Sequence, residues 1–189
     1  MKKMMMIAAM MLMSIGAFAQ SNVYIKPMVG GTLATLTGKD LDNNKMKFGL
    51  AVGAELGYAI SSNIDLTAGL LYSMQGTASD DSDDNLNMDY LNVPILFNYY
   101  VAPGLAIKAG VQPGFLLSSK WGDEDMKDYN ETFDLSIPLG LSYEFSDFVI
   151  DARYNLGITD VAKSGKGLHW ESKAKNSVIM LTLGYKIPL

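Results

Sequence analysis

The chain has 189 residues, a formal charge of −5 and no cysteine. So slight an acidic excess argues against a nucleic-acid partner, which calls for a basic surface. The lack of cysteine excludes a disulfide framework and a lipid anchor at a processing site. Length favours a single domain.

Lys2 and Lys3 precede an apolar run from Met4 to about Phe18, and small residues stand at Ala17 and Ala19 before Gln20. This pattern predicts a secretory signal peptide over 1–19, cleaved after Ala19, followed by one domain over 20–189. The run is too short for a permanent transmembrane helix, which needs about 20 apolar residues. No comparable run follows. Helical spans are therefore excluded, and a closed barrel is the remaining way to satisfy backbone polar groups in lipid.

Eight segments then alternate apolar with small or polar residues, and no charged residue falls on the apolar face. The first sets Val23, Ile25, Pro27, Val29 and Leu33 against Tyr24, Lys26, Met28, Gly30 and Thr32, with Pro27 unable to donate to a ladder. The second is the most regular: Phe48, Leu50, Val52, Ala54, Leu56, Tyr58 and Ile60 share one face, and Lys47, Gly49, Ala51, Gly53, Glu55, Gly57 and Ala59 the other. The third runs from Ile64 to Gln75 and puts Asp65 on its polar face. The fourth is read as one strand from Tyr90 to Val101, with Leu91, Val93, Ile95, Phe97, Tyr99 and Val101 on the apolar face. The fifth, Leu105 to Leu117, carries Lys108 and Gln112 opposite Ile107 and Val111. The sixth, Phe133 to Phe145, carries Asp134 and Glu144 behind Leu139 and Leu141. The seventh, Phe148 to Ile158, carries Asp151 and Arg153, and the last, from Val178 to Leu189, carries Thr182 and Lys186. A period of two throughout predicts strands. Their even number fits an all-β, eight-stranded antiparallel up-and-down transmembrane β-barrel.

Connections alternate in length. Residues 61–63, 102–104 and 146–147 read as tight turns, and 34–46, 77–88, 118–131 and 159–176 as long polar loops. Short turns of such barrels face the periplasm and long loops the exterior, which predicts periplasmic mature termini in the outer membrane of a Gram-negative bacterium. Tyr58, Phe97, Tyr99, Tyr143, Phe145, Phe148 and Tyr185 gather near the short-turn end, while Phe48, Tyr72, Phe115 and Phe133 lie nearer the loops. Two aromatic girdles are the expected result.

A soluble lipocalin-like ligand-binding barrel would turn the apolar face inward and the other face to water. That other face carries Gly49, Gly53, Gly57, Gly69, Gly110, Gly114, Gly140, Gly157 and Gly184. Glycine weakens a strand unless close packing demands it, and a narrow lumen makes that demand. The lumen of the membrane barrel would also hold Lys26, Lys108, Arg153 and Lys186 with Glu55, Asp65, Asp134, Glu144 and Asp151. Buried ions must pair, and eight strands leave room only for side chains, so an ion-pair network filling the lumen is expected.

The stretches LYSMQG (71–76), YLNVPILFNYY (90–100), LSIPLGLSYEF (135–145) and DARYNLGITDV (151–161) resemble the porin-family outer-membrane β-barrel proteins common in Bacteroidetes, which are related in architecture to small OmpA and OmpX type barrels. The resemblance covers essentially the whole mature chain and implies an eight-stranded outer-membrane barrel without a defined reaction. Its partners would be outer-membrane lipids and, during insertion, the barrel-assembly machinery. Such barrels typically end in an aromatic residue, whereas this chain ends GYKIPL, so recognition would have to tolerate Leu189 or use Tyr185. No peptidoglycan-binding domain is expected after the eighth strand.

Few residues point to chemistry. Asp80, Asp81, Asp83 and Asp84 form a carboxylate cluster of the kind hard cations prefer, but without the glycine and terminal glutamate of an EF-hand loop. Solvated acidic runs are the commoner outcome, here and in GDEDMKD (122–128). His169, the one histidine, has only Glu171 and Ser172 as neighbouring reactive groups, and Trp121 and Trp170 read as rim residues. No catalytic residue, cofactor or enzyme activity is expected. The reading is a structural or interaction barrel with four surface loops open to an extracellular ligand; a small solute pore is the rival, and the soluble barrel the third option.

Overall fold

The computed structural model describes residues 22–38, 45–78, 85–161 and 174–189. Its strands are β1 (Val23–Thr37), β2 (Lys47–Ser61), β3 (Ile64–Thr77), β4 (Leu86–Asn92), β5 (Ile95–Ala102), β6 (Leu105–Trp121), β7 (Glu124–Asp125), β8 (Phe133–Phe145), β9 (Phe148–Gly157), β10 (Lys175–Tyr185) and β11 (Ile187–Pro188). All pairings are antiparallel, and β1 pairs with β2 on one side and β10 on the other, which closes the sheet. β4 and β5 are two halves of one stave between β3 and β6. β7 and β11 are short additions against β6 and β1. Eight staves result, as the even count of alternating segments required.

Alternation assigns every long strand an inner and an outer face. Leu50, Ile95, Leu139 and Leu181 are 55%, 41%, 49% and 57% exposed, whereas Glu55 and Arg153 are 1% and 2% exposed. The apolar face looks outward and the ions look inward. A soluble barrel with an apolar interior requires the reverse, so that option is excluded. At one rim Phe148 stacks on Phe145 with ring centroids 5.7 Å apart and meets Tyr185 edge-on at 5.1 Å. Towards the other, Phe115 and Phe133 meet edge-on at 5.8 Å. Such rings favour the interface between acyl chains and water.

Three turns close the rim that also holds both strand termini. The two-residue turn at Ser146–Asp147 needs a positive φ, which Ser146 adopts at 54°. Gly104 supplies φ 77° in another, where an added Cβ would sit 2.5 Å from the Glu144 carbonyl oxygen. The fourth stave is broken, contrary to the single strand expected from Tyr90 to Val101. Pro94 lacks an N–H, so pairing lapses at Val93–Pro94; only the Val93 N–H to the Pro113 oxygen at 2.8 Å and the Gly69 N–H to the Pro94 oxygen at 3.0 Å carry the wall across.

Long connections are shorter than their polarity implies. β1 continues to Thr37, β3 to Thr77, β4 begins at Leu86, and β6 reaches Trp121 before the chain folds back through β7 and a 3-10 turn at Lys127–Tyr129. The cause is apolar: Leu36 and Met88, which lie beyond the expected strand ends, point inward and pack with Tyr90 and Leu116. Paired backbone persists because side chains hold it.

Candidate functional site

Side chains fill the lumen at successive levels, and the ionic one is built from strands that are not neighbours. Lys26 on β1 lies opposite Glu55 on β2, and its Nζ is 2.9 Å from Glu55 Oε2. Arg153 on β9 reaches across the barrel, with Nη2 2.6 Å from Glu55 Oε1, while its Nε donates to Asp151 Oδ1 at 2.6 Å and Nη2 to Asp151 Oδ2 at 2.8 Å. Lys108 on β6 pairs with Asp151 in direct contact, and Lys26 Nζ lies 3.7 Å from the same carboxylate. All five residues are at most 3% exposed. Removal of one partner from so buried a group leaves an uncompensated charge.

Glycines on adjacent strands make room for the ionic stems. A Cβ at Gly184 would lie 2.9 Å from Lys26 Cγ, one at Gly69 2.7 Å from Glu55 Cγ, and one at Gly140 3.1 Å from Arg153 Cγ and 2.5 Å from the Ala152 carbonyl oxygen. Gly140→Ala is therefore expected to lower stability by about 1–3 kcal/mol through overpacking, measured by urea unfolding in lipid vesicles. An unchanged midpoint would show that the wall yields freely there.

A second ionic group floors the lumen near the short turns. Lys186 Nζ lies 3.1 Å from Glu144 Oε2 and 3.8 Å from Asp65 Oδ2, over the Tyr24 ring at 4.2 Å. The Tyr24 hydroxyl donates to Asp65 at 2.9 Å, and the Tyr100 hydroxyl is within reach of both Asp65 and Glu144. Asp134 stands apart near the opposite mouth. Its carboxylate accepts from the Thr159 hydroxyl at 2.8 Å and the Asn176 amide at 3.1 Å, so its described partners are neutral donors instead of a cation.

Two apolar groups complete the filling. Met28, Ala51, Leu71 and Met180 form one cluster, and Leu36, Met88, Tyr90, Leu116, Val161 and Ala174 cap the mouth at the long-loop end. Val161 and Ala174, the stems of the last long connection, are joined by a 2.8 Å bond from the Val161 N–H to the Ala174 oxygen. Alternation places Tyr24 and Tyr100 inside, but nothing in their spacing marks them as partners of Asp65. Within the apolar cap, Leu36 and Met88 carried no sequence signal, because they fall in stretches that read as loop.

Asp80, Asp81, Asp83 and Asp84, together with His169, Trp170, Glu171, Ser172 and the 1–19 leader, lie outside the described residues. Trp121 ends β6 at the rim, 38% exposed. Among the described residues no group of three or more His, Cys, Asp or Glu is placed to hold a metal ion.

A closed eight-stave barrel with an apolar exterior and ionic interior is a transmembrane barrel of outer-membrane type. The chain belongs to the family described as outer membrane protein beta-barrel domain, whose model matches residues 18–163. Among solved structures, Neisserial surface protein A superposes with a TM-score of 0.57 at 13% identity, covering 88% of this chain and 98% of that one. Ail, the attachment invasion locus protein of Yersinia pestis, gives 0.53 at 16% identity in its complex with the heparin analogue sucrose octasulfate, covering 88% and 99%. Identities this low establish shared fold alone. No curated protein matches the chain by sequence.

Proposed function

We propose that the chain is a closed outer-membrane scaffold whose work is done at the long-loop rim, as a structural or interaction protein, with neither enzymatic activity nor a standing pore. The observation that carries this reading is the filled lumen: Lys26, Glu55, Lys108, Asp151 and Arg153 are all buried in one contact network, with an apolar cap above and a tyrosine-lined floor below. Such packing supports a lumen that is closed to solutes. Binding then falls to loops carried on a rigid frame. Short turns facing the periplasm put the four long connections outside, and export through the 1–19 leader belongs to the same reading. Ail is known in complex with a sulfated sugar analogue. Two connections here instead carry Asp80, Asp81, Asp83 and Asp84, and Asp123, Glu124, Asp125 and Asp128, so a polyanionic ligand is not carried over.

Planar-bilayer recording of the purified chain tests this reading against the pore. The expected trace has no large, steady single-channel steps, and liposomes containing the protein do not swell in small sugars. Steady steps from pure protein would establish the pore and end the scaffold reading.

A further inference from the structure

The central ionic cluster is unbalanced. Lys26, Lys108 and Arg153 face only Glu55 and Asp151, and none of the five has useful access to water. Excess charge at such depth is strongly unfavourable unless an opposite charge compensates. The floor network has the opposite imbalance, Lys186 against Asp65 and Glu144, but tyrosine hydroxyls serve both of its carboxylates. It is satisfied locally and lends no acceptor to the level above.

The surplus can be traced to particular atoms. Arg153 uses Nε and Nη2 on the two carboxylates, and its Nη1, which carries two donors, is buried without an acceptor. The Thr182 hydroxyl is likewise buried and unpartnered. Thr182 lies directly opposite Asp151 in the β9–β10 ladder, and Met180 lies opposite Arg153, so Thr182 is the inward diagonal neighbour of Arg153. Diagonal inward neighbours are within reach of a side chain as long as arginine.

We propose that this patch of the lumen binds one monovalent anion of halide type, held by Arg153 Nη1 and the Thr182 hydroxyl. One negative charge there equalises the cluster and supplies the acceptor that both donors lack. The competing occupant is a water molecule, because the Asn155 Oδ1 at the next inward position of β9 is also buried without a donor and a water would serve acceptor and donor alike. The inference goes beyond the scaffold reading: a closed lumen without an anion leaves that reading intact, and conductance says nothing about this site.

Crystals of the detergent-purified chain grown in bromide give a direct readout. An anomalous peak within hydrogen-bonding distance of both Arg153 Nη1 and Thr182 Oγ1 is expected, and it should vanish in Thr182→Val. In parallel, exchange of gluconate for bromide at fixed ionic strength should raise the thermal unfolding midpoint by roughly 3 °C, a gain lost in Thr182→Val and kept in Thr182→Ser. The wild-type measurements decide the matter even if the valine variant does not fold. Absence of a peak, or equal midpoints in the two salts, would assign the patch to water. A peak unchanged in Thr182→Val would mark an adventitious ion only, and either result overturns the proposal.

Discussion

Asp151→Asn is expected to cost about 3–5 kcal/mol of folding stability, the range for removing one member of a buried ion pair. Asp151 receives Lys108 in direct contact, Arg153 through two hydrogen bonds and Lys26 at 3.7 Å, so its loss leaves three buried cations facing Glu55 alone. Asparagine keeps the volume, which makes the change electrostatic. Urea unfolding in vesicles, followed by the loss of the fast-migrating folded band on an unheated gel, measures it. Lys108→Met in the Asp151→Asn background should recover part of the loss, since it deletes one of the stranded cations. A packing defect would not be repaired by a second deletion. If Asp151→Asn unfolds at the wild-type midpoint, the cluster does not bear on stability and the ionic account of the filled lumen fails.

A charge removed at the floor should matter less. Glu144 and Lys186 keep 20% and 25% of their side-chain surface in contact with solvent, and tyrosine hydroxyls would still serve the carboxylates after Lys186 was lost. Partly exposed pairs contribute little because water screens them. Depth in the lumen therefore ranks the ionic residues.

That ranking was not legible in the sequence, although the faces were. Because side chains alternate with a period of two, placing Leu139 outside forces Gly140 inside, and one correct strand sets every position along it. The inward ions were visible for the same reason. Their pairing was not, because register relates only adjacent strands. Lys26 and Glu55 are cross-strand neighbours, but Arg153 on β9 meets Glu55 on β2 with β10 and β1 between them, and Lys108 on β6 meets Asp151 with β8 between them. Curvature of the closed wall makes those contacts. Asp134 shows the limit of counting charges, since its level in the barrel offers Thr159 and Asn176 as described partners. Part of the apolar cap was hidden because Leu36 and Met88 lie in polar stretches that read as loop; they look inward because the mouth is sealed by their contact with Tyr90 and Leu116.

Placing a charge on the outside provides the complementary test, and its outcome depends on depth. Leu139 lies midway along β8, paired with Ala109 on β6 and Tyr154 on β9, and is 49% exposed on the apolar face. Leu139→Arg should cost about 2–4 kcal/mol in vesicles, because a guanidinium at the bilayer midplane loses hydration that no inward partner can replace. Tyr185→Arg, at the end of β10 beside the aromatic rim and Asp147, should cost only about 0–1 kcal/mol, since the chain can reach headgroups and water. Both residues are exposed to similar degrees, so burial within the protein predicts no such contrast. The difference arises only if hydrocarbon surrounds the middle of the barrel. Equal costs at the two positions, or a stable Leu139→Arg barrel in vesicles, would remove the bilayer from around this face and with it the reason for the inverted distribution of apolar and ionic residues.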